Sequence, residues 1–371
     1  MLRRQFFRSG AAAVGALMAA GCTDPAPSDG EHNADQDQRT WRMPDEGEWH
    51  KRTWMAFGAS ETIWGRSLLA EVRRDLATIA QTIAQFEPVT MLVRPADHAV
   101  ARDLVGSTVE LVEAPLDDLW MRDTGPVFVT GNGVKAGVNF NFNGWGGKQD
   151  FDHDAQVADA VTAHAGVESL HTDLVLEGGG IEVDGDGTAI ITESCVLNAN
   201  RNPGRSKAEV ETKLGRLLGV RKIIWLPGIA GKDITDGHTD FYARFARPGV
   251  VVAGLDTDPN SFDHDVTARH LEILRAATDA NGRRLDVVTL EAPGSIRPGY
   301  QSDDFAAGYI NFYVCNGAVI APEFGDPDTD GAARQQLEHL FPDRRVVQLN
   351  IDAIAAGGGG IHCTTQQEPA V

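Results

Sequence analysis

Apolar residues recur along the chain in two alternating rhythms. Short runs rich in β-branched residues, bounded by Gly, Asp or Pro, predict strands over residues 88–93, 108–112, 125–129, 188–192, 220–225, 249–255, 286–290, 311–320 and 345–350. Between them, apolar residues three and four apart predict helices over 71–86, 207–218 and 264–280. In the first of these, Val72, Leu76, Ile79 and Ile83 share one face. Helices alternating with strands predict an α/β protein. The strands return in similar groupings, but with no repeat period visible in the sequence. From Trp41 onward no Pro- or Ser-rich linker interrupts the pattern, which predicts one folded domain over 41–371.

The first forty residues follow neither rhythm. Arg3-Arg4-Gln5-Phe6-Phe7 precedes an apolar run from Ala11 to Ala20, which is too short to span a membrane as an ordinary helix. The run ends in Ala19-Ala20-Gly21-Cys22. This predicts a twin-arginine-type export signal over 1–22. Small residues before Cys22 fit a lipoprotein signal, with Cys22 lipidated; the other reading is an ordinary cleaved signal in which Cys22 is incidental. Residues 23–40 are polar and contain proline, as a disordered tether does. The expected location is therefore outside the cytoplasm, in the periplasm or cell envelope, with membrane contact only through an N-terminal lipid.

Composition narrows the partners. The formal net charge is -20, which argues against binding a phosphate backbone, since that needs clustered Lys and Arg. An acidic surface either draws in cationic substrates or only keeps the protein solvated. Four cysteines are few for a disulfide framework, and no Cys/His spacing of the zinc type occurs. With Cys22 set aside, Cys195 and Cys315 lie in apolar runs and read as small buried hydrophobes. Cys363 differs, because Gly357-Gly358-Gly359-Gly360 runs almost directly into it. Four glycines before a thiol suggest a tight turn that presents Cys363 to a pocket. A thiol acts as a nucleophile only as its thiolate, so cationic or dipolar neighbours are expected, with a histidine and carboxylates supplied from elsewhere in the chain.

Four other segments have compositions that core packing does not explain. Asp117-Asp118-Leu119-Trp120-Met121-Arg122-Asp123 precedes Gly125-Pro126, which places Asp123 at a strand entrance facing a pocket or in a turn bonding its own backbone. Asn139-Phe140-Asn141-Phe142-Asn143 alternates as a strand with one polar face would. Glu177 abuts Gly178-Gly179-Gly180 after an apolar run, so it closes a strand where backbone can approach closely, or a simple turn. In Asp236-Gly237-His238-Thr239-Asp240, strand geometry would put His238 and Asp240 on one face, where an imidazole and a carboxylate can do acid–base work.

Together these segments resemble the agmatine deiminase family and its relatives, the secreted bacterial peptidylarginine deiminases. The similarity covers nearly the whole chain beyond the tether. It is carried by Met43-Pro44-Asp45-Glu46-Gly47-Glu48-Trp49-His50, Trp120-Met121-Arg122-Asp123-Thr124-Gly125-Pro126, Leu176-Glu177-Gly178-Gly179 and Asn198-Ala199-Asn200-Arg201-Asn202-Pro203. It continues through Asp236-Gly237-His238, Asn311-Phe312-Tyr313, Phe324-Gly325-Asp326 and Ile361-His362-Cys363-Thr364-Thr365-Gln366-Gln367. The resemblance implies the pentein α/β propeller, in which five ββαβ-type units surround a pseudo-fivefold axis with the active site at the centre. It also implies roles: Cys363 as nucleophile, His238 as acid and base, Glu177 orienting His238, Asp123 and Asp240 binding a guanidinium, and Trp120 covering its face. No cofactor and no metal is expected.

The implied reaction is hydrolysis of a guanidino group with release of ammonia. The substrate is either agmatine, giving N-carbamoylputrescine, or the arginine of a peptide. Agmatine wants an acid for its second amine, whereas C-terminal arginines want a cation in the site. Motif similarity points to agmatine; export points to peptides. An amidinotransferase on the same fold and a non-catalytic exported binding protein for guanidino compounds are the remaining alternatives. A homo-oligomer is compatible with the sequence. Two positions depart from the family pattern. Gly360 stands where the family carries Asn, and Phe241 stands where it carries Asn. Gly360 is expected to adopt left-handed backbone geometry, so that Gly360→Asn would be tolerated.

Overall fold

The computed structural model describes residues 40–300 and 304–371. The expected export signal, Cys22 and nearly all of the tether lie outside the described residues. Sixteen strands form five small sheets. In chain order they are β1 (His50–Phe57), β2 (Val89–Val93), β3 (Val109–Glu113), β4 (Val127–Gly131), β5 (Val134–Asn139), β6 (Glu168–His171), β7 (Ile181–Val183) and β8 (Thr188–Thr192). There follow β9 (Lys222–Leu226), β10 (Ala243–Arg247), β11 (Val250–Leu255), β12 (Asp286–Glu291), β13 (Tyr313–Cys315), β14 (Ala318–Glu323), β15 (Arg345–Asn350) and β16 (Gln366–Pro369).

One motif generates the whole. In the sheet β4-β5-β6, a hairpin pairs β4 antiparallel to β5, the helix Val157–Ala165 follows, and β6 returns parallel to β5. The sheets β7-β8-β9, β10-β11-β12 and β13-β14-β15 repeat it, with helices Lys207–Leu218, His264–Ala276 and Pro327–Leu340 in the crossovers. The fifth unit is split between the chain ends. The last strand, β16, pairs antiparallel with β1, and β1 continues through the helix Glu61–Ile83 to parallel β2. An added strand, β3, extends that sheet. These are the five ββαβ-type units of the pentein α/β propeller. Splitting one unit across the ends explains why no period shows in the sequence.

Local chemistry explains most of the elements. The helix Lys207–Leu218 opens with a reciprocal cap between Ser206 and Glu209 and stops at Gly219, whose φ is 71°. The helix Pro327–Leu340 starts with Pro327 behind an Asp326 side chain that accepts from Asp328 and Thr329. The helix Glu61–Ile83 begins ten residues before the predicted start, because Gly65 interrupts its first turn with φ 67° and hides the period. Its Val72, Leu76, Ile79 and Ile83 are fully buried in the largest core cluster. Each such side chain contributes about 1.5–3 kcal/mol.

Two predicted strands are corrected. Residues 311–320 form a hairpin, β13 and β14, turning at Asn316-Gly317. The run 139–143 is not a strand. The Asn139 side chain accepts from the Asn141 amide, Asn141 takes φ 55°, and both Phe140 and Phe142 are buried. Strand β16 escapes detection because its sequence is polar. Its Glu368 is buried, bound by Trp54 Nε1 at 3.0 Å and paired with Lys135.

Candidate active site

Sheet-to-sheet contacts run through β16 with β4 and β7 with β10. The segment just ahead of each first strand carries the unusual residues. Cys363 lies on the turn His362–Thr364 before β16, and Asp123 on the short helix Met121–Thr124 before β4. Glu177 precedes the turn Gly178–Gly180 before β7. His238 and Asp240 flank the start of the turn Thr239–Phe241 before β10. Asn311 precedes β13. Five equivalent entrances thus build one site.

These placements correct two expectations. His238 and Asp240 are on a tight 3-10 turn, not on one strand face, and Glu177 follows an extended loop and does not close a strand. Asp123 stands at a strand entrance facing the cleft, on one short helical turn ahead of β4. The convergence itself does occur. A methyl group on Gly179 would lie 2.7 Å from His238 Nδ1, 2.8 Å from Asp123 Oδ1 and 3.2 Å from Asp240 Oδ2. Gly179, two residues after Glu177, therefore lets three catalytic-type groups crowd one point.

Cys363 is buried among carboxylates. Its Sγ lies 3.5 Å from Asp240 Oδ2 and receives the Asn311 amide Nδ2 at 3.2 Å. The Cys363 backbone N–H donates to Asn311 Oδ1 at 3.3 Å. Burial, then the charges of Asp240 and Asp123, push the thiol well above its ordinary pKa. Of the cationic or dipolar neighbours expected from the sequence, the Asn311 amide supplies the dipole, and two acids stand where a cation was the other choice.

His238 stands between Glu177 and Asp123. Nε2 lies 3.3 Å from Glu177 Oε2, and Nδ1 lies 3.7 Å from Asp123 Oδ1. Burial works against its protonation, but Asp123, Cys195 and Glu177 outweigh that and raise its pKa well above the usual value. Both Glu177 oxygens accept from Arg201 Nε, at 2.8 and 3.0 Å. Burial opposes the Glu177 charge, yet His238 and Arg201 hold its pKa below the usual value. Cys195 is buried as expected, but it does not serve only as an apolar filler: its Sγ lies 3.6 Å from Glu177 Oε2. Ligand atoms of Glu177, Cys195 and His238 lie within 4.8 Å of one another, the spacing of a metal site. The Arg201 guanidinium already neutralises that carboxylate, so the three residues need no ion.

The two acids of the pair differ. Asp123 accepts from Trp145 Nε1 at 2.9 Å and from the Gly179 amide at 3.1 Å, and burial raises its pKa. Burial also opposes the charge of Asp240, but the hydrogen bond from His362 brings its pKa below the usual value. Asp240 Oδ1 is buried without a hydrogen-bond partner among the described residues. A buried carboxylate oxygen with an unused lone pair is the acceptor that an N–H donor would fill.

A cleft leads from the surface to Cys363 and Asp123, between Trp64, Trp120, Phe241 and the backbone of residues 356–359. Asp118 also lines it, held by Trp64 Nε1 at 2.8 Å, Trp120 Nε1 at 3.0 Å and Gln149 Nε2 at 3.1 Å. Burial pushes the Asp118 pKa up to about 6. Neither Lys nor Arg lines the cleft among the described residues.

The glycine run leads into the turn that presents Cys363 to the cleft, as expected, and its bareness has a further reason. Only Gly358 of the four takes positive φ, at 88°. A Cβ on Gly357 would meet Trp64 at 2.2 Å, one on Gly359 would meet Trp120 at 2.1 Å, and one on Gly360 would meet Asn311 Oδ1 at 2.4 Å. The run is bare so that aromatic rings and Asn311 can pack on backbone. Gly360→Asn is therefore expected to disturb Asn311, contrary to the sequence expectation. Asn311, Gly179, Arg201 and His362 were in the quoted motifs, but no role was assigned to them from sequence. Their partners are distant in the chain, and that leaves no local signal.

Comparison with known proteins agrees with this geometry. The profile of the Porphyromonas-type peptidyl-arginine deiminases matches residues 42–369. A protein of Streptomyces coelicolor, provisionally named agmatine deiminase, is 47% identical over 339 residues, covering 89% of this chain and 99% of that one. The agmatine deiminase of Stutzerimonas stutzeri is 39% identical, covering 90% of this chain and 96% of its own. The solved agmatine deiminase of Enterococcus faecalis superposes with a TM-score of 0.84 at 33% identity, covering 92% of this chain and 98% of that one. The chain belongs to the Porphyromonas-type peptidyl-arginine deiminase family.

Proposed function

We propose that this protein hydrolyses the guanidino group of agmatine, giving N-carbamoylputrescine and ammonia. The observation that carries the reading is the buried thiol of Cys363 beside Asp123 and Asp240, at the end of a cleft without a basic side chain. A guanidinium is planar and permanently charged. Its paired N–H donors suit two carboxylates, and Asp240 Oδ1 has a lone pair to spare. The absence of a cation in the cleft disfavours substrates with an α-carboxylate, such as free arginine. Asp118 supplies an acid for a second amine. The names of the relatives point the same way.

The high thiol pKa fits a cationic substrate. Asp123 and Asp240 keep the proton on Cys363 while they are uncompensated. A guanidinium entering between them cancels that charge, so Cys363 ionises when substrate is bound. The thiolate attacks the guanidino carbon. His238, held protonated by its acidic neighbours, gives a proton to the departing nitrogen, which leaves as ammonia. A covalent thiouronium remains. His238 then takes a proton from water as it attacks, and the S–C bond breaks to release the ureido product. Glu177 orients His238 through its 3.3 Å contact. Trp120, on the cleft wall, lies where its ring can cover the guanidinium.

The test is ammonia release by the purified protein with agmatine, free arginine and arginyl peptides. Agmatine should be turned over with the highest kcat/KM, and Cys363→Ala should bind it without releasing ammonia. Preference for arginyl peptides would replace agmatine as substrate, and undiminished release by Cys363→Ala would sink the mechanism. We also infer export and lipid attachment, supported by Arg3-Arg4, the apolar run and Cys22. Cys22→Ser should move the protein out of the membrane fraction and leave turnover unchanged. Identical fractionation of both forms rejects the anchor.

A further inference from the structure

We propose that His362, backed by Glu46, is a positioning residue that fixes the Asp240 carboxylate for the guanidinium. The inference rests on the deiminase reading and assigns two residues that the mechanism above does not use.

His362 Nδ1 lies 2.8 Å from Asp240 Oδ2, and Nε2 lies 2.9 Å from Glu46 Oε2. A neutral imidazole has one N–H and can serve only one of these acceptors. With a carboxylate on each nitrogen, both nitrogens donate and the ring is an imidazolium. Asp240 and His362 are almost fully buried, with 1% of their surface exposed, and Glu46 has 7% exposed. Water therefore cannot substitute for these bonds.

Glu46 is itself held rigidly. It accepts from Arg244 Nη2 at 2.7 Å, Arg122 Nη2 at 3.0 Å and the Val314 amide at 2.8 Å. Arg244 also binds Glu182 at 2.8 Å. Three carboxylates, Glu46, Glu182 and Asp240, thus face three cations, Arg122, Arg244 and the His362 ring. The cluster is balanced before substrate arrives. Asp240 spends Oδ2 on His362 and keeps Oδ1 free. Without the imidazolium, one buried carboxylate loses its counter-charge. Asp240 is the one without an arginine, so it would take a proton or turn away. In either case it stops accepting from the guanidinium.

His362 should therefore matter for a ligand with a charged guanidinium head and not for one with an uncharged head of the same shape. The experiment uses Cys363→Ala full-length protein, so that nothing turns over, and isothermal titration with agmatine and with its ureido product, which keeps the far amine but has an uncharged head. Adding His362→Gln should weaken agmatine by roughly tenfold or more, the loss expected for a hydrogen bond to a charged group. The ureido product should change by less than about threefold. In an Asp240→Asn background the same His362→Gln change should cost agmatine nothing further. Equal losses for both ligands, an undiminished loss beside Asp240→Asn, or no loss at all overturns the proposal. Melting curves establish that each variant is folded. If His362→Gln does not fold, Glu46→Gln, which keeps one acceptor oxygen, should show the same selective loss at smaller size. Failure of both to fold assigns the pair to stability alone and also overturns it. The deiminase reading fails separately, if wild type releases no ammonia and Cys363→Ala binds no agmatine.

Discussion

Two Glu–His–Asp chains converge near Cys363, and they differ in slack. In one, Glu177–His238–Asp123, the imidazole lies 3.3 Å and 3.7 Å from its carboxylates. In the other, Glu46–His362–Asp240, the distances are 2.9 Å and 2.8 Å. The loose chain is anchored by Arg201 at its glutamate alone, and its histidine is left able to gain and lose a proton. The tight chain is anchored by Arg122 and Arg244 and saturates its histidine at both nitrogens. On the proposed mechanism, the same three residue types serve proton transfer where contacts are long and charge placement where they are short.

The largest effect should come from the loose chain. His238→Ala removes the general acid and base and should lower kcat by about 10²–10⁴-fold. Agmatine affinity, measured in the Cys363→Ala background, should stay within about threefold. If His238→Ala mainly raises KM instead, His238 is a binding residue and the contrast collapses.

The carboxylates come next. Asp123→Asn or Asp240→Asn should lower kcat/KM for agmatine by more than about tenfold, because the substrate charge is left half paired. The same variants report the state of the nucleophile. The Cys363 pKa is raised, so at neutral pH the free protein holds mostly thiol, and its alkylation by iodoacetamide should keep accelerating as pH climbs through and beyond the ordinary thiol range. Asp240→Asn removes one of the charges that raise it, so the alkylation profile should shift to lower pH even as turnover falls. A shift the other way would mean that Asp240 does not set the thiol pKa.

Legibility from sequence divides along the same line. Residues whose chemistry is local were readable: Cys363 behind its glycines, Glu177 before Gly178, His238 two residues from Asp240. The supports of the tight chain were not. Glu46 lies 316 positions before His362 in the chain, and Arg244 looks like any charged residue of an alternating strand. Only the fold, which threads the last strand beside the first, brings Glu46 under the nucleophile turn. The five-unit architecture was legible only through resemblance, since the unit closed by β16 and β1 leaves no period to detect. The glycine run was read rightly as presenting Cys363 to a pocket, but the left-handed geometry expected of Gly360 falls on Gly358, and the packing of Trp64, Trp120 and Asn311 onto backbone cannot be seen in one dimension.

That revised reason can be tested at smaller scale. Gly358→Ala meets no atom of the described residues closer than 3.6 Å, so its cost is the φ of 88°, about 1–2 kcal/mol of stability, with the cleft intact. Gly359→Ala instead drives a methyl group into Trp120 at 2.1 Å and should shift the cleft wall, lowering turnover well beyond what its loss of stability explains. Thermal melts and ammonia release on both variants separate the two causes. Equal turnover in both would mean that Trp120 does not need the bare backbone.

The smallest effect should be at Cys195, and it measures what holds the loose chain. Its thiol lies 3.6 Å from Glu177 Oε2, a weak donor contact, whereas Arg201 supplies two charged contacts at 2.8 and 3.0 Å. If the guanidinium is the real anchor, Glu177 stays ionised and in place when the thiol is removed. Cys195→Ala should then cost less than about fivefold in kcat, the equivalent of about 1 kcal/mol. Cys195→Ser, which keeps a donor at the same place, should recover part of that. Burial and the Glu177 charge also raise the Cys195 pKa, and Cys195 does not line the cleft as Cys363 does, so iodoacetamide at alkaline pH should label Cys363 before Cys195. A loss of a hundredfold or more in Cys195→Ala would place the thiol, and not Arg201, as the support of Glu177, and the difference between the two chains would then not lie in their arginines.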